Sequence, residues 1–268
     1  MNNAKGSEDI DVKPEISSDA RLVILPKKEK INVKLLGEQE ISRVGNGIYL
    51  ILEGTTNIKE HLADISHFRF RRVREIPPIK SRDPEVRAKK VFAIVWYQFA
   101  SPTAGQKKRV QRLIHRAPCI RLRPGVLLFP HLRSKDRERY LKKNKERSVL
   151  GSKEFSAVLE EMGGNVARWT RLQLVNQASN ELLYASLEKM SKSEIGSLEA
   201  KLRTLKEAAV EGEGIRKKLK ERYSEISSIY RNLRSKYEVV RVVWGVDLRR
   251  ELKRTYNLML RTKHVISS

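Results

Sequence analysis

The sequence predicts an α+β protein: a core in the order βαββαβ, a C-terminal helical hairpin behind it, and a small mixed region of strands and helix in front. Three observations predict this. Residues 91–100 (VFAIVWYQFA) form an apolar run of strand length followed at once by helix-starting residues. From there to Leu174 the spacing of apolar residues changes twice from that of a strand to that of a helix and back. Beyond Ser191 apolar residues recur in steps of three and four along two stretches.

The elements follow in order. Residues 1–20 are net acidic and poor in large apolar groups, which predicts a disordered leader. Residues 21–68 predict a small strand and helix region. Its runs Leu22–Leu25, Ile31–Leu36 and Ile48–Leu52 are punctuated by Pro26, Gly37 and the turn Gly45-Asn46-Gly47, and Ile58, Leu62 and Ile65 then recur at helical spacing. Residues 69–90, rich in Arg, Lys and Pro, predict a basic extended linker.

The central unit is expected over 91–176. Ser101 is a good N-cap and Pro102 suits the first helical position. The helix to Ala117 places Val110, Leu113, Ile114 and Ala117 on a buried face and Lys108, Arg112 and Arg116 on another. Pro118 stops it. Cys119–Arg123, Pro124-Gly125 and Val126–Phe129 read as a hairpin, residues 134–147 as a solvated basic insertion, and Phe155, Val158, Leu159 and Met162 as a second helix ended by Gly163-Gly164. A last strand covers Asn165 to Leu174. Two helices on one face of an antiparallel sheet in this order make a ferredoxin-like βαββαβ core.

Residues 177–268 predict the helical hairpin. Ser191 and Glu194 suit a capping box, Ile195, Leu198, Leu202, Leu205 and Ala209 form one stripe, and Gly212 and Gly214 break the helix. A second stripe follows with Leu219, Tyr223, Ile226, Tyr230, Leu233 and Tyr237. Residues 239–246 fit either a strand or a buried helix, and Asp247 suits the cap of a final helix to about Leu260. Both stripes fit burial on the chain's own core as well as a short coiled coil in a homodimer.

Charge directs the functional reading. The chain carries a net +24, and residues 67–149 hold 24 Lys+Arg against 6 Asp+Glu, a local +18. Polyanions are therefore the expected partners, and Lys107, Lys108, Arg112, Arg116, Arg121 and Arg123 the expected phosphate contacts. Trp96, Tyr97 and Phe99 are placed in the core rather than under bases. One cysteine, Cys119, excludes internal disulfides and thiolate metal cages, and the five scattered histidines suggest no metal site. Neither GxxxxGK[ST] nor GxGxxG occurs, so no cofactor is expected. No acid lies between Ala88 and Asp136, which leaves the first strand of the core without a metal ligand, and Ser101 lacks a His–Asp pair; an enzyme is not expected. The polar start and the lack of a long apolar run predict a cytoplasmic protein.

The strand VFAIVWYQFASP, the helix KKRVQRLIHRA, the strand pair ending GVLLFP, the segment EEMGGNVARW and the Lys/Glu-rich helices after it resemble, in pattern and order, the N-terminal domain of the chromate-resistance regulator family. The resemblance spans about Ala88 to Leu260 and implies a ferredoxin-like fold, similar to that of small CRISPR adaptation nucleases, and operator-DNA binding. The reading is a nucleic-acid-binding regulatory protein, with DNA favoured. Its alternatives are a helical scaffold with a basic surface and a divergent metal-dependent nuclease.

Overall fold

A computed structural model of the chain describes residues 20–26, 41–52, 62, 65–80, 89–141, 149–175, 177–211 and 216–267. Among the described residues the elements run β1 (Ala20–Ile24), β2 (Ile41–Gly45), β3 (Ile48–Leu52), β4 (Phe68–Arg72), β5 (Phe92–Gln98), α1 (Ala104–Arg116), β6 (Ile120–Arg123), β7 (Val126–Pro130), α2 (Ser134–Leu141), α3 (Ser152–Glu161), β8 (Asn165–Leu174), α4 (Gln177–Val210), α5 (Arg216–Trp244) and α6 (Arg249–Ser267). The strands form one antiparallel sheet in the order β2-β3-β1-β4-β8-β5-β7-β6. The α+β class is therefore as the sequence predicts.

The apolar run around β5 has a structural cause. This strand lies inside the sheet, between β7 and β8, and is covered on both faces. Ala93 and Val95 pack with Val110, Leu113 and Ile114 of α1 and with Phe155 and Leu159 of α3. Phe92 and Ile94 point the other way, into a cluster shared with α4, α5 and α6. A strand buried on both faces has no polar alternation to show.

The N-terminal strands join the same sheet. β1 pairs with β3 and β4, and β4 pairs in turn with β8. Phe68–Arg72, placed by sequence at the junction of the N-terminal region and the basic linker, is thus a ladder strand with Phe68 and Phe70 fully buried. Its arginines and the prolines beyond it hid the alternation of FRFRR, whose period of two is that of a strand. The predicted leader, apart from Ala20, the run Ile31–Leu36 and Ile58 lie outside the described residues. Leu62 is buried, and Ile65 packs with it against Val23, Leu25, Tyr49 and Ile51.

The C-terminal region consists of the expected pair of helices, α4 and α5, and the expected final helix, α6. The 34 residues of α4 reach about 50 Å at 1.5 Å per residue, and the helix runs unbroken through the expected capping box. Ser191 is instead an interior helical residue whose hydroxyl donates to the Glu188 carbonyl oxygen at 2.9 Å. The upstream residues Leu183 and Leu187 continue the buried stripe and carry the helix back to Gln177. Residues 239–244 complete α5, and α6 runs to Ser267. Gly212 and Gly214 lie outside the described residues. The apolar stripes of α4 and α5 are buried with Leu22, Phe70, Ile94 and Leu128 of the sheet, so the chain itself covers them.

Among the described residues no helix is long and apolar enough to cross a membrane.

Candidate nucleic-acid interface

The start of α1 is fixed by Thr103, not by Ser101. Thr103 Oγ1 accepts the Gln106 backbone N–H at 3.1 Å, and the Thr103 N–H donates to Gln106 Oε1 at 2.9 Å. This reciprocal pair satisfies two groups, so the helix starts at Ala104, the residue after Thr103, instead of at Pro102. Gln106 Nε2 also donates to the Met162 carbonyl oxygen at 2.9 Å, tying the start of α1 to the end of α3. Val110, Leu113 and Ile114 are buried against β5 as predicted.

The exposed side of α1 carries cations and no acid. Lys107, Lys108, Arg112 and Arg116 are exposed, and Arg121 joins them from β6. None of the five has an acidic partner among the described residues. Lys108, Arg112 and Arg116 stand at i, i+4 spacing, where like charges cost a helix about 0.2–0.5 kcal/mol per pair. No acid within α1 relieves them. Surface charge that serves solubility alone is normally of mixed sign.

Arg123 is not part of this face. It is buried, with Nη1 donating to the Leu25 carbonyl oxygen at 2.9 Å and Nη2 to Asn46 Oδ1 at 3.3 Å. The cause is a register shift: Arg121 pairs with Leu127 but Arg123 with Val126, so Leu122 and Arg123 together oppose one residue. Such a bulge re-aims side chains that a period of two would place on one face. Gly47 makes room for the guanidinium. Its φ is +69°, and a Cβ there would collide with Arg123. Because β6 and the β2–β3 turn belong to opposite ends of the strand order, these bonds also bring the two ends of the sheet within reach of one arginine side chain.

A cleft of about 440 Å³ opens beside the basic face, between the start of α1 and the β6–β7 turn. Lys107, Gln111 and Arg121 line it together with Trp96, Tyr97 and Phe99. The three rings are half-buried: Trp96 packs toward the helical array, Tyr97 and Phe99 toward α1 and α3, and the latter two meet edge to face at 6.2 Å. Gly125 closes the cleft with φ +77°, and its carbonyl oxygen accepts the Tyr97 N–H at 2.8 Å. Sequence reasoning assigned these rings to packing, which holds for most of each ring. That their remaining surface shares a cleft with Lys107 and Arg121 depends on how α1 crosses β5 beside the β6–β7 turn.

Beneath α1 lies a buried polar cluster. Lys236 Nζ, fully buried, contacts Glu194 Oε1 at 2.8 Å and Oε2 at 3.0 Å, and the Tyr237 hydroxyl donates to Oε2 at 2.8 Å. His115 Nδ1 of α1 stands 3.6 Å from Oε1, too far for a hydrogen bond. Burial alone would raise the Glu194 carboxyl, but the His115 ring, the Lys236 ammonium and the Tyr237 hydroxyl together outweigh it and hold it at about 2. The cluster seats α1 on α4 and α5. Cys119 is buried nearby, which pushes its thiol up to about 12 and keeps it from acting as a nucleophile.

Among the described residues no three His, Cys, Asp or Glu side chains gather as a metal site would require. Comparison of the chain with protein-family models, curated proteins and solved structures finds no match.

Proposed function

We propose that this chain is a nucleic-acid-binding regulatory protein that docks duplex DNA on α1 and the β6–β7 hairpin. The observation that carries the reading is the face of Lys107, Lys108, Arg112, Arg116 and Arg121, five exposed cations with no acidic partner among the described residues. Attraction to phosphates offsets their mutual repulsion, and each phosphate neutralised releases counterions. Val110, Leu113 and Ile114 bury the other side of the helix against the sheet, which leaves these cations turned to solvent.

The wider reading is a ferredoxin-like unit made of β5, α1, β6, β7, α3 and β8, related to the chromate-resistance regulators. Its support is the local strand order β8-β5-β7-β6, which places the fourth strand of the unit beside the first, then the third, then the second. The resemblance in sequence motifs adds operator binding as the role. Homodimer formation draws no support from the stripes of α4 and α5, since these are buried within the chain.

Recovery and sequencing of the nucleic acid that co-purifies with the protein at low salt tests the reading. Enriched duplex DNA fragments are the expected result. Protein that elutes free of nucleic acid, and does not retard duplex DNA when it is added back, would contradict it.

A further inference from the structure

A second cationic cleft lies where α2 approaches α5 and α6, with none of the α1 cations in its described lining. Its volume is about 1070 Å³, and among the described residues its lining holds six Lys or Arg side chains against one acid, Glu238. That acid is already engaged, since Glu238 Oε1 meets Arg241 Nη2 at 2.6 Å. Arg234, Lys253 and Arg139 have no acidic partner among the described residues.

Aromatic rings stand among these cations. Tyr230 of α5 and Tyr256 of α6 stack with centroids 5.9 Å apart and planes at 28°. The Tyr230 hydroxyl donates to the Leu252 carbonyl oxygen at 3.1 Å, which fixes the inner ring, while Tyr256 remains 45% exposed. Arg234 follows Tyr230 by one turn of α5, and Lys253 precedes Tyr256 by about one turn of α6, so each ring has a cation beside it. On the facing wall the Arg139 guanidinium lies over the Tyr140 ring at 5.7 Å.

We propose that this cleft takes an unpaired stretch of a nucleic-acid strand, with a base stacked on Tyr256 and adjacent phosphates on Arg234 and Lys253. An exposed ring backed by a fixed second ring gives a flat platform for the face of any base. Cations one helical turn from such a platform provide for the backbone that a stacked base brings with it. A cleft of this volume accepts nucleotides but not a duplex. The inference rests on the preceding reading only in that the polyanion is nucleic acid, and it assigns the single strand and the double helix to different surfaces.

The test is fluorescence anisotropy with labelled oligothymidylate and, separately, a duplex of equal length, on the full chain. Tyr256→Ala should weaken oligothymidylate binding roughly tenfold through lost stacking. Arg234→Gln with Lys253→Gln should flatten its salt slope by about 1.4, two phosphates at about 0.7 each. Duplex binding should stay within about twofold for both variants. Unchanged oligothymidylate affinity in variants with the wild-type melting temperature would overturn the proposal, as would equal losses on strand and duplex, or no oligothymidylate binding by the wild type. Thymidine monophosphate serves as the competitor. Displacement at the same nucleotide concentration as unlabelled strand would assign the cleft to a free nucleotide instead. The duplex arm reads the α1 face and the strand arm this cleft, so failure of one reading is distinguishable from failure of the other.

Discussion

The Arg123 guanidinium donates to the Leu25 carbonyl oxygen at 2.9 Å and thereby bolts the β6–β7 hairpin to the end of β1. A residue with the composition of a phosphate contact is thus a strut of the sheet. Arg123→Ala leaves that buried carbonyl unpaired and opens space against Gly47, which should cost about 2 kcal/mol and lower the melting temperature by roughly 4–8 °C. Calorimetry measures the shift. An unchanged melting temperature together with weakened DNA binding would return Arg123 to the interface.

The Lys236–Glu194 pair predicts an asymmetric pattern of stability. Glu194→Gln strands a fully buried ammonium, so it should destabilise by about 3 kcal/mol, whereas Glu194→Gln combined with Lys236→Met should recover most of the loss. Denaturant unfolding of both variants checks this. A double variant no more stable than the single one would mean that the loss does not come from the stranded ammonium.

Acid should weaken the fold in two steps. Burial, reinforced by Arg168, Arg171 and Arg137, depresses the His131 ring from 6.5 to about 4, so the folded state resists a proton that the unfolded chain accepts, and stability declines as pH falls below 6.5. The Glu194 carboxyl lies at about 2 in the fold against an ordinary 4.5; its contribution is complete above 4.5 and is lost as pH falls toward 2. Thermal melts from pH 7.5 to 3 should show both declines. His131→Gln should remove the first and Glu194→Gln the second, and a flat profile down to pH 4 would contradict the assignment.

Much of the central unit was legible because its local signals agree with its tertiary placement. β8 was read with the observed boundaries, and the buried face of α1 was read residue by residue, since period and burial coincide there. Errors arose where a long-range arrangement overrides a local pattern. Arg123 left the basic face through a bulge, β4 was masked by its arginines, and Ser191 became interior because Leu183 and Leu187 extend the helix past a local capping signal. Neither cleft was legible. One depends on how α1 packs across β5 beside the β6–β7 turn and the other on α6 folding back beside α5, and no spacing along the chain encodes either.

The absence of acids between Ala88 and Asp136 predicts that the protein has no intrinsic metal-dependent nuclease activity. Labelled DNA and RNA incubated with Mg²⁺ or Mn²⁺ should remain intact. Cleavage that follows the protein through several columns and vanishes on substituting one carboxylate of this chain would show the prediction to be mistaken.

The central claim is that duplex DNA docks on the α1 face, and its most direct measurement is the salt dependence of duplex affinity with Lys108, Arg112, Arg116 and Arg121 all replaced by Gln. All four side chains are exposed, so the variant should keep the wild-type melting temperature to within about 2 °C. Each lost phosphate contact removes about 0.9 from the slope of log K against log salt, so four should flatten it by about 3.6 and weaken binding strongly at low salt. The same affinity and slope in the folded variant would contradict the account and place the DNA on another surface of the chain.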